Sequence, residues 1–138
     1  QTLDAIFSDA FRKIVQNNRE LHRQHIDQLA SQVVRQIEQS YADSDLSPTR
    51  IADSLGMSSA YLGRIFRESM QTSISQYLNQ TRIRRAEELL RETEQPVETV
   101  AGLVGFSNPK YFYVVFKNIT GQTPLQFRKA VHSASEKN

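Results

Sequence analysis

The chain has 138 residues, 17 Lys and Arg against 15 Asp and Glu, 38 % hydrophobic residues and no cysteine. That length supports one domain with a real core or two very small ones, and the composition excludes a disordered chain. The absence of cysteine excludes disulfides and thiolate metal sites and fits a cytoplasmic location. No apolar run reaches the roughly 20 residues that span a bilayer, so no membrane contact is expected.

Residues 3–24 place Leu3, Phe7, Ala10, Ile14, Asn17 and Leu21 at alternating spacings of four and three, a heptad-like stripe on a polar helix. The stripe is about three heptads long and contains Ala10 and Asn17, a weak coiled-coil signal. A connecting helix packed on something upstream is the favoured reading, and a dimer seam is the alternative. The chain starts at Gln1 without an initiator Met or a signal-peptide pattern. Residues 1–25 are therefore read as a helical linker from a missing upstream part of a longer protein.

Ile26, Leu29, Val33, Val34, Ile37 and Tyr41 mark a first core helix at about 26–42. Ser47-Pro48 starts a helix over 48–55, since Ser caps and Pro at the first position loses no needed N–H. Gly56 stops it, and Ser58 caps the next helix, about 59–69. Ser73 and Gln76 form a capping box that opens a long helix at about 74–92. Ile74, Tyr77, Leu78, Thr81, Ala86, Leu89 and Leu90 supply its buried positions. Gln95-Pro96 starts a short helix, and Asn108-Pro109 starts another at about 109–119, ended by Gly121. Thr123-Pro124 opens a last helix, about 124–131, carrying Leu125 and Phe127. Residues 132–138 read as a polar tail. No strand signal survives, so an all-α fold is expected.

One pattern occurs twice. The first copy reads Ile51-Ala52-Asp53-Ser54-Leu55-Gly56-Met57-Ser58, then Tyr61-Leu62-Gly63-Arg64-Ile65-Phe66-Arg67. The second reads Val100-Ala101-Gly102-Leu103-Val104-Gly105-Phe106-Ser107, then Tyr111-Phe112-Tyr113-Val114-Val115-Phe116-Lys117. The second copy has one extra residue in its turn. Each copy is a short helix, a Gly-containing turn and a second helix with basic residues on its outer face. That is the sequence form of a helix-turn-helix, whose second helix enters a DNA major groove.

These motifs resemble the DNA-binding domain of the AraC/XylS family of bacterial transcription regulators. The resemblance covers about residues 26–131. It is most specific in Val97, Val100-Ala101 and Val104-Gly105-Phe106, then Tyr111-Phe112, Phe116-Lys117, Gly121, Thr123-Pro124 and Phe127-Arg128. Arg82, Ala86, Leu89 and Leu90 fit the family's connecting helix. The resemblance implies a tandem, homeodomain-like architecture: a first unit at about 47–69, a connecting helix at about 74–92 and a second unit at about 96–119, with an extra N-terminal helical segment. It implies two recognition helices in successive major grooves of a double-stranded DNA operator. It also implies a bacterial transcription regulator, more often an activator, with RNA polymerase and an upstream sensor domain as partners and a homodimer through the upstream region. A helix of about 19 residues is about 28 Å long, close to the roughly 34 Å groove period.

Residues at i, i+3, i+4 and i+7 share a helix face. The first recognition helix thus presents Ser59, Ala60, Gly63, Arg64 and Arg67, with Tyr61, Leu62, Ile65 and Phe66 turned to the core. The second presents Lys110, Tyr113, Val114 and Lys117, with Asn108 and Pro109 at its start and Tyr111, Phe112, Val115 and Phe116 turned inward. Arg64 is the best base reader, because its fork can donate twice to guanine. A phosphate contact or a surface ion pair is the alternative. Arg67, Lys110 and Lys117 suit phosphates. Tyr113 suits a base, a sugar or a phosphate. The family often has Arg at the position of Val114 and Gly at that of Gln71, so the second unit lacks a cation and the first recognition helix must end without glycine.

No enzyme signature is present. His22 and His25 share a helical face, but no carboxylate or cysteine cluster accompanies them, so no metal and no cofactor is expected. The Arg82-Ile83-Arg84-Arg85 run reads as a solvated face paired with Glu87 and Glu88, with phosphate contact as the other reading. The competing function is a helical protein-interaction module that binds no DNA.

Overall fold

All but one of the helices begin where a side chain takes up an orphaned backbone N–H. In the computed structural model, which describes residues 2–136, the chain folds into α1 (Leu3–Ser40), α2 (Pro48–Ser54), α3 (Ser59–Met70), α4 (Ile74–Glu92), α5 (Val97–Leu103), α6 (Pro109–Thr120) and α7 (Pro124–Glu136). Among the described residues there is no strand. Ser47, Ser58, Ser73 and Asn108 cap α2, α3, α4 and α6 as their sequence positions predict. The exception is α5: Pro96 sits one residue before the helix and makes no side-chain cap.

Two boundaries differ from the sequence reading. The N-terminal segment and the first core helix are one continuous helix, because nothing near His25 interrupts it: no Gly or Pro lies between Leu3 and Ser40. The last helix runs to Glu136, with Val131 and His132 half-buried, so the expected polar tail is helical through Glu136. Its last two residues, 137–138, lie outside the described residues.

The core is built in two halves that share one helix. In the first half, Val33 and Ile37 of α1, Ile51 of α2 and Leu62 and Phe66 of α3 are buried together. In the second, Val100 of α5 and Phe112 and Phe116 of α6 pack together. The start of α4 gives Ile74 and Leu78 to the first half, and its remainder gives Ile83, Ala86 and Leu90 to the second. Tyr41 packs against both. Each fully buried Phe stabilises the fold by about 1.5–3 kcal/mol relative to an exposed one, so α4 cannot shift without loosening both halves.

The duplication extends beyond the motif read from the sequence. Tyr77 stacks edge-on against Phe66 at 5.8 Å, and Phe127 stacks edge-on against Phe116 at 5.7 Å. Thr123 and Gln126 form a second reciprocal capping pair, matching Ser73 and Gln76. The sequence carried that signal in Ser73-Ile74-Ser75-Gln76-Tyr77 and Thr123-Pro124-Leu125-Gln126-Phe127.

The two recognition helices end alike despite different residues. Gly121 caps α6 at φ 82° and Gln71 caps α3 at φ 62°, each donating its N–H to a carbonyl four residues back. Gln71 is the only non-glycine with positive φ among the described residues. A side chain there costs about 1–2 kcal/mol, because its Cβ crowds the following carbonyl. Gln71→Gly should therefore raise stability by about 1 kcal/mol, net of the greater freedom glycine gives the unfolded chain. Gly121→Ala should lower it by a similar amount. Urea denaturation of the two variants checks both signs.

Candidate nucleic-acid interface

In each unit the turn is fixed by backbone bonds that set the angle of the following helix. Met57 N–H donates to Ala52 O at 3.0 Å, and Phe106 N–H donates to Ala101 O at 2.9 Å. Gly56 and Gly105 sit at those turns with φ of 68° and 103°. The extra residue of the second turn is accommodated before α6, where the Asn108 side chain accepts from the N–H groups of Lys110 and Tyr111 at 3.0 and 3.4 Å. Asn108 thus uses its carbonyl oxygen as a cap, which leaves its amide NH2 free to donate outward.

The outward faces carry most of the expected residues. Ser59, Ala60, Arg64 and Arg67 are exposed on α3, and Gly63 is half-buried at the edge of that face. Asn108, Pro109, Lys110, Val114 and Lys117 are exposed around α6. Three tyrosines depart from the sequence reading. Tyr61 and Tyr111, expected in the core, are 40 % and 50 % exposed. Tyr113, expected outward, is half-buried against the second core and meets Phe112 edge-on. Their helical angles explain this: Tyr61 and Tyr111 lie on one flank of the outer face, and Tyr113 lies on the other, where the core closes over it.

The flanking rings have partners of their own. The Arg64 guanidinium lies over the Tyr61 ring at 5.6 Å, an interaction worth about 0.5–1 kcal/mol at an exposed site. At the equivalent place in α6, Val114 supplies no cation. There the Tyr111 hydroxyl accepts from the side-chain amide of Asn79 on α4 at 3.2 Å. Among the described residues the ion pairs are Arg84–Glu38 and Arg85–Glu88. Arg64, Arg67, Lys110 and Lys117 therefore carry charge that no carboxylate among the described residues neutralises.

The basic run on α4 divides. Arg85 pairs with Glu88 as expected, while Arg84 reaches Glu38 rather than Glu87. Arg82, expected on a solvated face, is buried. Its Nε donates to Tyr41 O at 2.8 Å and its Nη2 donates to Asp43 O at 2.9 Å, closing the end of α1. The guanidinium lies over the Phe106 ring at 5.6 Å, in the turn of the second unit. Burial pulls its pKa below the ordinary arginine value, and the nearby Asp43 offsets part of that; the group stays charged. Arg128 of α7 does the same for α4, donating to Leu90 O and Thr93 O at 3.1 and 3.2 Å. Periodicity alone misses both, because an arginine that caps carbonyls inside a fold looks like a surface cation in sequence.

Gly105 is where the two units touch. A Cβ built on it would collide with Tyr41 O and lie 2.7 Å from Arg82 Nε. The second turn therefore approaches the end of α1 as closely as a backbone can, and only glycine permits it.

Among the described residues no His, Asp and Glu group could hold a metal ion, and no helix is long and apolar enough to cross a membrane. A helix-turn-helix domain family matches residues 51–130. The Msm operon regulatory protein of Streptococcus mutans is 36 % identical over 100 residues, 72 % of this chain and 36 % of that protein. The chain thus spans about a third of that relative's length. The C-terminal domain of AraT, a response regulator from Geobacillus stearothermophilus, superposes with a TM-score of 0.72 at 30 % identity, covering 74 % of this chain and 84 % of that one. The DNA-binding domain of AdpA, a global transcriptional factor solved in complex with a target DNA, superposes with a TM-score of 0.71 at 25 % identity, covering 80 % and 97 %.

Two substitutions at the junction should separate its parts. Gly105→Ala should destabilise the fold by about 3 kcal/mol, combining overpacking with a strained φ. Arg82→Met keeps the apolar stem but leaves two carbonyls unpaired, and should cost about 2–3 kcal/mol. Thermal unfolding of both variants checks the magnitudes.

Proposed function

The chain belongs to the AraC-type family of helix-turn-helix transcription regulators, and from that premise we propose that residues 26–131 bind double-stranded operator DNA with both recognition helices, α3 and α6. The observation that carries this reading is the pair of outward faces whose four cations have no ion-pair partner among the described residues. The likeness to the DNA-complexed AdpA domain supports it. The chain acts as a binding domain rather than an enzyme, in the cytoplasm, as part of a longer regulator. That regulator is an activator, with RNA polymerase and an upstream sensor domain as partners and a homodimer formed through the upstream region.

The residues divide by chemistry. Arg64 reads bases, because its planar fork can donate twice to guanine O6 and N7. Ala60 and Gly63 are small and let α3 approach the groove floor, with Ser59 at its start. Arg67, Lys110 and Lys117 hold phosphates, which fix register without reading sequence. Asn108 offers its free amide at the N-terminus of α6 beside Pro109, where the helix dipole also favours an anion. Tyr113, half-buried against the second core, keeps its hydroxyl as the one polar group it can offer to a base, sugar or phosphate. Val114, 56 % exposed, can meet only an apolar feature such as a thymine methyl.

Three phosphate-neutralising cations, Arg67, Lys110 and Lys117, give a slope of log affinity against log salt of about −3; a flat response would favour a protein-interaction module. Arg64→Ala should relax preference at one or two base pairs by about 1–3 kcal/mol, whereas Lys117→Ala should weaken specific and random duplexes equally. Equal weakening by both would make Arg64 a phosphate clamp. Base-by-base substitution in a selected site should show sharper preferences beneath α3 than beneath α6, and Val114→Arg should raise affinity. Stronger discrimination beneath α6 would contradict the assignment.

A further inference from the structure

Arg64 is exposed, and an exposed arginine samples many rotamers. A base reader of this kind needs something to aim it. Its neighbours within α3 are the residues three and four places away, Ala60, Tyr61, Arg67 and Glu68. Ala60 is too short to hold a guanidinium, and Arg67 repels one. Two partners remain, in opposite directions: Tyr61 lies one turn towards the start of the helix and Glu68 one turn towards its end.

Arg64 takes the first of these. Its guanidinium lies over the Tyr61 ring at 5.6 Å. Glu68 is exposed and in no ion pair among the described residues. Helix geometry agrees with that choice. Long side chains lean back over the preceding turn, which favours the ring. An arginine placed before a glutamate is also the weaker order for an ion pair of this spacing. The consequence is directional. The first turn of a recognition helix is the part that meets base edges, and the ring keeps the cation there. A bond to Glu68 would neutralise the guanidinium and draw it away from that turn.

The second unit provides a comparison within the chain. Position 114 is valine and position 118 is asparagine, so the arginine and its competing acid are both missing. The equivalent ring, Tyr111, is still exposed, but its hydroxyl accepts from Asn79 of α4 at 3.2 Å. It has no cation at position 114 to hold, and α4 ties it down instead.

We propose that Tyr61 is a positioning residue for base reading, holding the Arg64 fork at the first turn of α3 and away from Glu68. This rests on the reading of Arg64 as the base-contacting residue. Tyr61 acts through Arg64 alone. It removes rotamers that Arg64 would otherwise lose on binding, and it keeps the cation free of the neighbouring acid.

The readout is the ratio of affinities of the whole chain for a duplex selected from a random pool and for a random duplex. A variant that merely folds less well weakens both alike and leaves the ratio unchanged. Tyr61→Leu should lower the ratio about two- to five-fold, the size of an exposed cation–π contact. Tyr61→Phe keeps the ring face and should leave it unchanged. Adding Glu68→Gln to Tyr61→Leu should restore part of the loss, because the competing carboxylate is gone. In an Arg64→Ala background, Tyr61→Leu should lower the ratio no further. In the free chain, proton NMR should show the Arg64 Cδ protons shifted upfield by the ring, and Tyr61→Leu should abolish that shift. Absence of the shift overturns the proposal. So does a full loss with Tyr61→Phe, no recovery with Glu68→Gln, or a further loss in the Arg64→Ala background. A ratio lowered by Arg64→Ala but not by Tyr61→Leu overturns the role of Tyr61 alone. A ratio unchanged by Arg64→Ala overturns the base-reading assignment beneath it.

Discussion

The contact on which the architecture turns is the guanidinium of Arg82. It is a buried cation on α4 that satisfies two carbonyls at the end of α1 and lies against the turn of the second unit. Taking such a group out of water costs several kcal/mol unless its donors are used. Here Nε and Nη2 both donate, and Gly105 leaves the space that the contact needs. The first unit, the connecting helix and the second unit are therefore locked at one point. A tandem reader needs this, since α3 and α6 can occupy two grooves together only if their separation is nearly fixed.

The two units solve the same folding problem with different residues. Each recognition helix is held by a buried Phe and an edge-on aromatic from the next helix, Tyr77 in one case and Phe127 in the other. The long helix ahead of each unit, α1 or α4, is closed by an arginine, Arg82 or Arg128, though these come from different turns of their helices. The inward positions stay apolar in both copies, whereas the outward ones differ in kind. Arg64 stacks on Tyr61 in the first unit; in the second, Val114 leaves Tyr111 bonded to Asn79. Packing constrains the inner residues of both copies alike, whereas the outer ones answer only to the groove they face.

Much of the fold was legible because its signals are local. Ser47-Pro48, Ser58, Ser73 with Gln76 and Asn108-Pro109 each start a helix by satisfying its first N–H groups, and all four act as read. The break expected near residue 25 is absent, because a change of pattern from exposed stripe to buried face requires no change of backbone. Helical angle separated Arg64 and Lys117 from the core correctly, yet it misplaced Tyr61, Tyr111 and Tyr113. Those three sit at the edges of the face, where neighbouring elements decide burial. Arg82 was least legible. Its role depends on carbonyls about 40 residues earlier in the chain, which no local pattern reveals.

The claim that one chain reads two grooves from a rigid frame is tested most directly by moving the grooves apart. Binding would be measured on a selected duplex and on versions with base pairs inserted between the two half-sites. About five inserted base pairs turn the second half-site to the opposite side of the helix, and about ten restore its facing one turn farther on. Because α4 and the Arg82 junction set one separation, both insertions should reduce affinity to that of a single half-site. Undiminished affinity at either spacing would contradict the account, showing that the units move independently or that only one of them binds.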